Sequence, residues 1–526
     1  MQSSLRPYIT IAVVLFTMFA AQTVLSTIMK FYNQVPSILA SACAAVGTCS
    51  ARSAHSGSQC STAASNASTA WHLPAQYFVN NLTLTLNSTG THGFIYNTSQ
   101  SPQGTTYNWC NMPHVNPTTY QKPSSDYKLE YVEVIHRHHK RTPYASNTFP
   151  VEGYAWDCSD EGLFYGGKPL DPRGNDSAST YWSVYTSESN PFPPQGFNGT
   201  CQFPQITRQG LEDSWEHGAN LKAVYADLLS FIPVEYDPAS TTFRVTNNVI
   251  TSQVASMLIA GMYPAQSGRD TPLIIQPNSI DSLEPRYSCP ASAALFSDYS
   301  VGSSATNWTE HLTASSALFS QLDSVSGVAP GDSGWHQNFD HYFDNLSARL
   351  CHQKPLPCSV NDTSACIEQA DAETVFRLGQ YEYSFIYRDA PQSLKACVAS
   401  YGVWIAELAA HLRRAAIGDG QVRYRHNVAH DGSISRLLSI LQIERMVWPG
   451  MGSEVIFELY EKEQCHFLRV LWAGQVLQSS HPSFRSMDMV PLNTFLAYID
   501  ELVGQGAKKV PQLCDASEDQ KRPSYR

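Results

Sequence analysis

The feature that most constrains this chain is a strand-like run that ends in a block of positive charge. Tyr127 to Ile135 reads Tyr-Lys-Leu-Glu-Tyr-Val-Glu-Val-Ile. Leu129, Tyr131, Val132, Val134 and Ile135 give it the β-branched and aromatic content of a strand. Arg137-His138-His139-Lys140-Arg141-Thr142-Pro143 follows at once. Ligand sites of α/β sheets lie just beyond the carboxyl ends of strands, so this placement marks a candidate site.

The residue types say what the site could do. A neutral imidazole can attack phosphorus and form a phosphohistidine, dividing one hard displacement into two easier ones. Guanidiniums beside it disfavour the imidazolium and keep the nucleophile unprotonated at mildly acidic pH. The same guanidiniums can grip phosphate oxygens and offset charge developing at phosphorus. Pro143 stiffens the loop. Two plainer readings compete. His136, His138 and His139 could be a metal cluster, although no second cluster in the sequence supports it. Arg137, Lys140 and Arg141 could also be a solvated basic run.

A phosphohistidine route needs a proton donor for the leaving oxygen. His430-Asp431-Gly432 stands between a strand-like segment, Val422 to Val428, and a helical one, Ser433 to Gln442. His430 could hydrogen-bond phosphoryl oxygens and Asp431 could protonate the leaving oxygen. Asp-Gly is also a common turn.

With both motifs in hand, the chain resembles the histidine acid phosphatases, the second branch of the histidine phosphatase superfamily, which includes phytases. The resemblance rests on Arg137-His138-x-x-Arg141-x-Pro143 and the late His430-Asp431. Ile206-Thr-Arg-Gln-Gly210 with Gly218 and Leu221 resembles a helix motif of that family. Arg244-Val-Thr246, Thr251-Ser252-Gln253 and Gly261-Met-Tyr-Pro264 resemble a further segment. Together they span about Tyr127 to Trp472. The resemblance implies an α/β fold, a phosphoglycerate-mutase-like central sheet flanked by helices, with an α-rich inserted domain. It implies His138 as nucleophile, Arg137, Arg141 and His430 as phosphate ligands, and Asp431 as acid. It implies no cofactor and no metal. The expected activity is that of an acid phosphatase on a phosphomonoester. The alternative is a weak or inactive member that serves as an extracellular or membrane-anchored binding module.

Two departures from the family pattern motivate that alternative. The family usually has glycine where this chain has His139, and a side chain there would crowd the phosphate or add a donor. Ile250 stands where the family commonly has a third phosphate-binding arginine. Losing one such donor costs about 2–4 kcal/mol of transition-state stabilisation.

Compartment and organisation follow from the rest of the chain. Residues 1–29 read as a signal peptide or membrane anchor: Arg6 precedes an apolar stretch, and residues 8–29 are a candidate type II anchor. The chain has 13 cysteines and no close pair of the zinc-binding kind, so disulfides are expected, with one cysteine left over. Sequons stand at Asn66, Asn81, Asn87, Asn97, Asn175, Asn198, Asn307, Asn345 and Asn361. These point to the secretory pathway, with the protein extracellular or lumenal. The net charge of −11 argues against general nucleic-acid binding. Residues 30–125 read as a Ser/Thr-rich stalk and loop-rich lead-in. Residues 126–514 read as the phosphatase domain with an α-rich insertion over about 265–416, and 515–526 as a tail. Helices are expected at Thr207–Phe231, Thr246–Met262, Trp308–Ser324 and Ala396–Ala416, and a strand pair at Ser453–Tyr460 and His466–Trp472.

Overall fold

The computed structural model describes residues 68–91, 108–151, 154–159, 189, 199–264 and 271–515. The candidate signal or anchor, most of the stalk, Cys43, Cys49 and Cys60, the sequons at Asn66, Asn97, Asn175 and Asn198, and the tail beyond Asp515 lie outside them. Among the described residues no helix is long and apolar enough to cross a membrane.

Among those residues the strands form one mixed sheet: β1 (Lys128–Arg137), β2 (Thr241–Val245), β3 (Leu273–Ile274), β4 (Tyr424–Ala429), β5 (Glu454–Lys462), β6 (Cys465–Trp472), β7 (Gln475–Val476) and β8 (Val490–Pro491). Their order is β3-β2-β4-β1-β5-β6-β7, with β8 beside β6. β1 and β2 each run parallel to β4, whereas β5 is antiparallel to β1. The helices used below are α1 (Arg208–Lys222), α2 (Val249–Met262), α3 (Pro290–Tyr299), α4 (Thr306–Ala314), α5 (Ser316–Ser326), α6 (Asp340–Cys351), α7 (Gln369–Ser384), α8 (Ser393–Ala416), α9 (Asp431–Ile440) and α10 (Leu492–Val503).

The alternation in β1 decides how the layers stack, because successive side chains of a strand point to opposite faces. Val132 and Val134 pack with Leu221 and Val224, next to α2's Leu258. Tyr131 and Ile135 belong to the opposite cluster, with α8, α9 and α10 residues such as Leu408, Leu437 and Ile499. Both faces of the sheet are therefore covered, the α/β arrangement expected from sequence. A separate aromatic core, including Phe319, Phe343, Phe376 and Trp448, joins α5, α6 and α7.

Two motif glycines set the approach of α1 to α2. A Cβ at Gly218 would overlap the Leu258 carbonyl, and one at Gly261 would overlap the Trp215 carbonyl. Gly210 brings α1 equally close to the Lys140 carbonyl, next to the basic motif. These glycines serve backbone contact between elements rather than chemistry.

The helix expected over Trp308–Ser324 is two helices. Ser315 leaves helical geometry (φ −100°, ψ 12°) while its N–H bonds back to His311 and Leu312 carbonyls, and α5 restarts at Ser316. The lead-in contains little helix among its described residues, in short turns at Phe78–Asn80 and Leu82–Asn87.

Disulfides join Cys110–Cys351, Cys158–Cys201, Cys289–Cys514 and Cys358–Cys366, and Cys465 is also disulfide-bonded. Cys397 is free and buried. Such a framework belongs to an oxidising compartment. One sequon asparagine is inaccessible in the folded chain: Asn345 is buried, its amide donating to the Asn147 carbonyl at 3.0 Å. Asn81, Asn87, Asn307 and Asn361 are exposed.

Candidate active site

The parallel pairing of β1 with β4 brings the two sequence motifs together. Arg137 is in register with Ala429, and the His138 N–H donates to the Ala429 carbonyl at 3.1 Å. The Arg137-His138 loop and the His430-Asp431 turn thus leave the sheet side by side. The rings of His138 and His430 lie 5.4 Å apart between centroids. β2 adds Thr246 just past its own end, with Thr246 Oγ1 2.9 Å from His430 Nε2.

His138 is buried, and its Nδ1–H donates to the His139 carbonyl at 3.0 Å. That hydrogen bond selects the tautomer whose Nε2 carries the lone pair. Burial first, then the charges of Arg137, Arg141 and His430, holds the imidazole well below its ordinary pKa. The surroundings thus favour the neutral imidazole.

Asp431 opens α9, where the helix dipole favours a carboxylate. Its Oδ2 is 2.9 Å from Arg137 Nη2 and accepts from Trp448 Nε1 at 2.9 Å. Burial pushes the carboxyl up, but Arg137, the Trp448 indole and Arg141 outweigh it and leave the pKa below the ordinary range. Arg137 also donates to the Pro449 carbonyl at 2.6 Å and lies over the Trp109 ring. The Nε atoms of Arg137 and Arg141 are buried with no hydrogen-bond partner, two donors aimed at no protein group. His430 Nε2 also faces Glu284 at 3.6 Å. Burial lowers the His430 pKa, more than Glu284 and Asp431 raise it.

Arg141 reaches a residue that its sequence neighbourhood does not reveal. Its Nη1 is 3.0 Å from Asp344 Oδ1 on α6, and Asp344 Oδ2 also accepts from the Tyr144 N–H and Asn147 Nδ2. Asp344 orders the loop after the motif and offsets one of its charges. Trp448 and Asp344 lie outside the motifs and carry no local signal of their contacts, whereas Thr246 stands in the Arg244-Val-Thr246 segment that the resemblance includes.

The two departures have structural explanations. The His139 ring pairs with His217, Nε2 to Nδ1 at 3.1 Å, in place of the contact with phosphate expected from sequence. Gly452 makes room for it: a Cβ there would lie 2.7 Å from His139 Nδ1, and its φ of +72° suits glycine. Gly452→Ala is therefore expected to cost about 1–2 kcal/mol for the left-handed backbone and a further ~1–3 kcal/mol for overpacking. Adding His139→Gly removes the second part. A double-mutant cycle in denaturant should show coupling of about 1–3 kcal/mol, and additive effects would disprove the contact. Ile250 is buried in an apolar cluster with Ile206, Val245, Val254 and Val428. Arg244 is held by Glu407 at 2.8 Å and by Gln276, Ser282 and Asp281.

With this geometry, the model of the histidine phosphatase superfamily (branch 2) matches residues 128–473. The chain belongs to that family. Among its relatives is "Counting factor 60" of Dictyostelium discoideum, 25% identical over 70% of this chain and 84% of that protein. Another is "Lysophosphatidic acid phosphatase type 6" of Homo sapiens, 23% identical over 64% of this chain and 74% of the relative. The solved Hafnia alvei phytase in complex with tartrate is 14% identical, with a TM-score of 0.48, covering 73% of this chain and 99% of the phytase. Within this chain, all five residues expected at the site (Arg137, His138, Arg141, His430 and Asp431) stand together at or just beyond the ends of β1 and β4.

Proposed function

We propose that the protein is an acid phosphomonoesterase that works through a phosphohistidine at His138, with no metal at the reacting phosphorus. The observation that carries this reading is the His138 Nδ1–H bond to the His139 carbonyl, which leaves Nε2 as a buried, neutral lone pair beside two guanidiniums. Nε2 attacks phosphorus as the bond to the leaving oxygen breaks, and Asp431 supplies the proton that oxygen takes. Asp431, now a carboxylate, accepts a proton from water, whose oxygen displaces Nε2 and releases inorganic phosphate. Arg137, Arg141 and His430 hold the non-bridging oxygens. Arg137 Nε and Arg141 Nε are the donors free to do so.

Asp431 must be protonated in the first step, although Arg137 holds its carboxyl down in the empty site. A phosphate dianion draws Arg137 toward its own oxygens and adds negative charge nearby, and both effects raise the Asp431 pKa. The substrate thus prepares its own acid.

The reading places the protein in the secretory pathway, glycosylated at exposed sequons and either secreted or anchored through residues 8–29. A second reading, a weak or inactive binding module, draws on Ile250 in an apolar cluster and on Asp344 paired with Arg141. One experiment separates them. The purified protein is mixed with a radiolabelled aryl phosphate and quenched in alkali within a turnover. Acid-labile, alkali-stable label on His138, with release of phosphate, supports the enzyme. Label absent under conditions where inorganic phosphate still binds supports the binding module.

A further inference from the structure

Three buried imidazoles next to the phosphate loop have no part in that reaction. His136 lies at the end of β1, His139 in the loop and His217 on α1, and all are buried. One ring nitrogen of each lies within 4.8 Å of the other two. The His136 Nδ1–H donates to the Arg137 carbonyl at 2.9 Å, which leaves Nε2 as a lone pair, and that atom is buried without a partner. The His217 Nε2–H donates to Glu454 Oε2 at 2.9 Å, which leaves Nδ1 as a lone pair 3.1 Å from His139 Nε2. His139 Nδ1 is again buried without a partner. Metal-ligating histidines carry this signature: the outer N–H is held by a carboxylate or carbonyl and the other nitrogen is free to coordinate.

We propose that His136, His139 and His217 bind one divalent cation of the zinc type. The ligand atoms are His136 Nε2, His217 Nδ1 and His139 Nε2. On binding, His139 gives up its hydrogen bond to His217 and carries its proton on Nδ1. Three imidazoles suit zinc, and a fourth position is left for water. Zinc–nitrogen bonds of about 2.0–2.1 Å put tetrahedral ligands about 3.3 Å apart. The His139–His217 pair, at 3.1 Å, already has that spacing, and His136 belongs to a group whose ligand atoms lie within 4.8 Å of one another. Glu454 orients His217 and supplies negative charge that a buried dication requires. The cation would tie β1, the phosphate loop and α1 together, and it accounts for histidine at the position where the family usually has glycine. His138 is not a ligand, so this differs from the sequence-based cluster of His136, His138 and His139.

The test measures metal and not turnover, so it stands or falls apart from the phosphatase reading. The full chain is produced in zinc-supplemented medium, dialysed against metal-free buffer and analysed by plasma mass spectrometry. About one zinc per chain is expected. Protein grown with cobalt should show the visible d–d absorption of a tetrahedral site. Glu454→Gln keeps a hydrogen-bond acceptor for His217 and should weaken the metal about 10–100-fold, and His217→Gln should abolish both signals. Folded wild-type protein without zinc and without the cobalt band overturns the proposal and leaves a hydrogen-bonded core of histidines. Zinc retained at full occupancy in folded His217→Gln overturns it as well.

Discussion

Replacing His138 with alanine is expected to lower kcat for any phosphomonoester by about four orders of magnitude or more, the scale seen when a hydrolase loses its nucleophile. The variant keeps Arg137, Arg141 and His430, so inorganic phosphate still binds and a misfolded protein can be told from an inactive one. The pH dependence carries a second signature. Burial and the two guanidiniums depress the His138 pKa, so protonation of the nucleophile does not limit the rate as pH falls through the ordinary histidine range. The wild-type rate should therefore hold through pH 6.5 and below. A rate that collapses there with a single protonation, or an alanine variant with unchanged kcat, removes His138 from the role of nucleophile.

Asp431→Asn separates the acid from the nucleophile. The asparagine preserves shape and can still accept from Trp448 Nε1, but it cannot protonate a leaving oxygen. Alkyl phosphates, whose leaving alkoxides need that proton, should lose about 10²–10⁴-fold in kcat. A nitrophenyl phosphate, whose leaving group departs readily as an anion, should lose much less in the phosphorylation step. Single-turnover rates for the two esters measure the difference. Equal losses would mean that Asp431 acts through its ion pair with Arg137 at 2.9 Å and not as a proton donor.

Local chemistry made the fold class and the five candidate site residues legible. β1 carries the β-branched and aromatic content that a strand buried on both faces needs, and its basic end is a contiguous motif. The helices over Arg208–Lys222, Val249–Met262 and Ser393–Ala416 carry the expected apolar spacing. Boundaries were less legible where serine interrupts a helix, as at Ser315. Sequons were less legible still, because Asn345 satisfies the pattern but is committed to the Asn147 carbonyl.

What stayed hidden depends on side-chain contacts between separate elements. Asp344 meets Arg141 across about 200 residues, and Trp448 meets Asp431 from the loop before β5. No periodicity or spacing encodes such pairs. The missing arginine could be read directly from Ile250, but that its side chain joins an apolar cluster could not.

The sequence by itself marked the candidate nucleophile His138, the guanidiniums of Arg137 and Arg141, and the candidate partners His430 and Asp431, because each lies in a short motif at a strand end. The tertiary structure alone decided that the motifs meet, since only parallel pairing puts the ends of β1 and β4 on the same edge. It also decided the fate of His139. Gly452 opens the space and His217 supplies the partner, so the ring is packed into the protein, a choice that neighbours on other elements make for it.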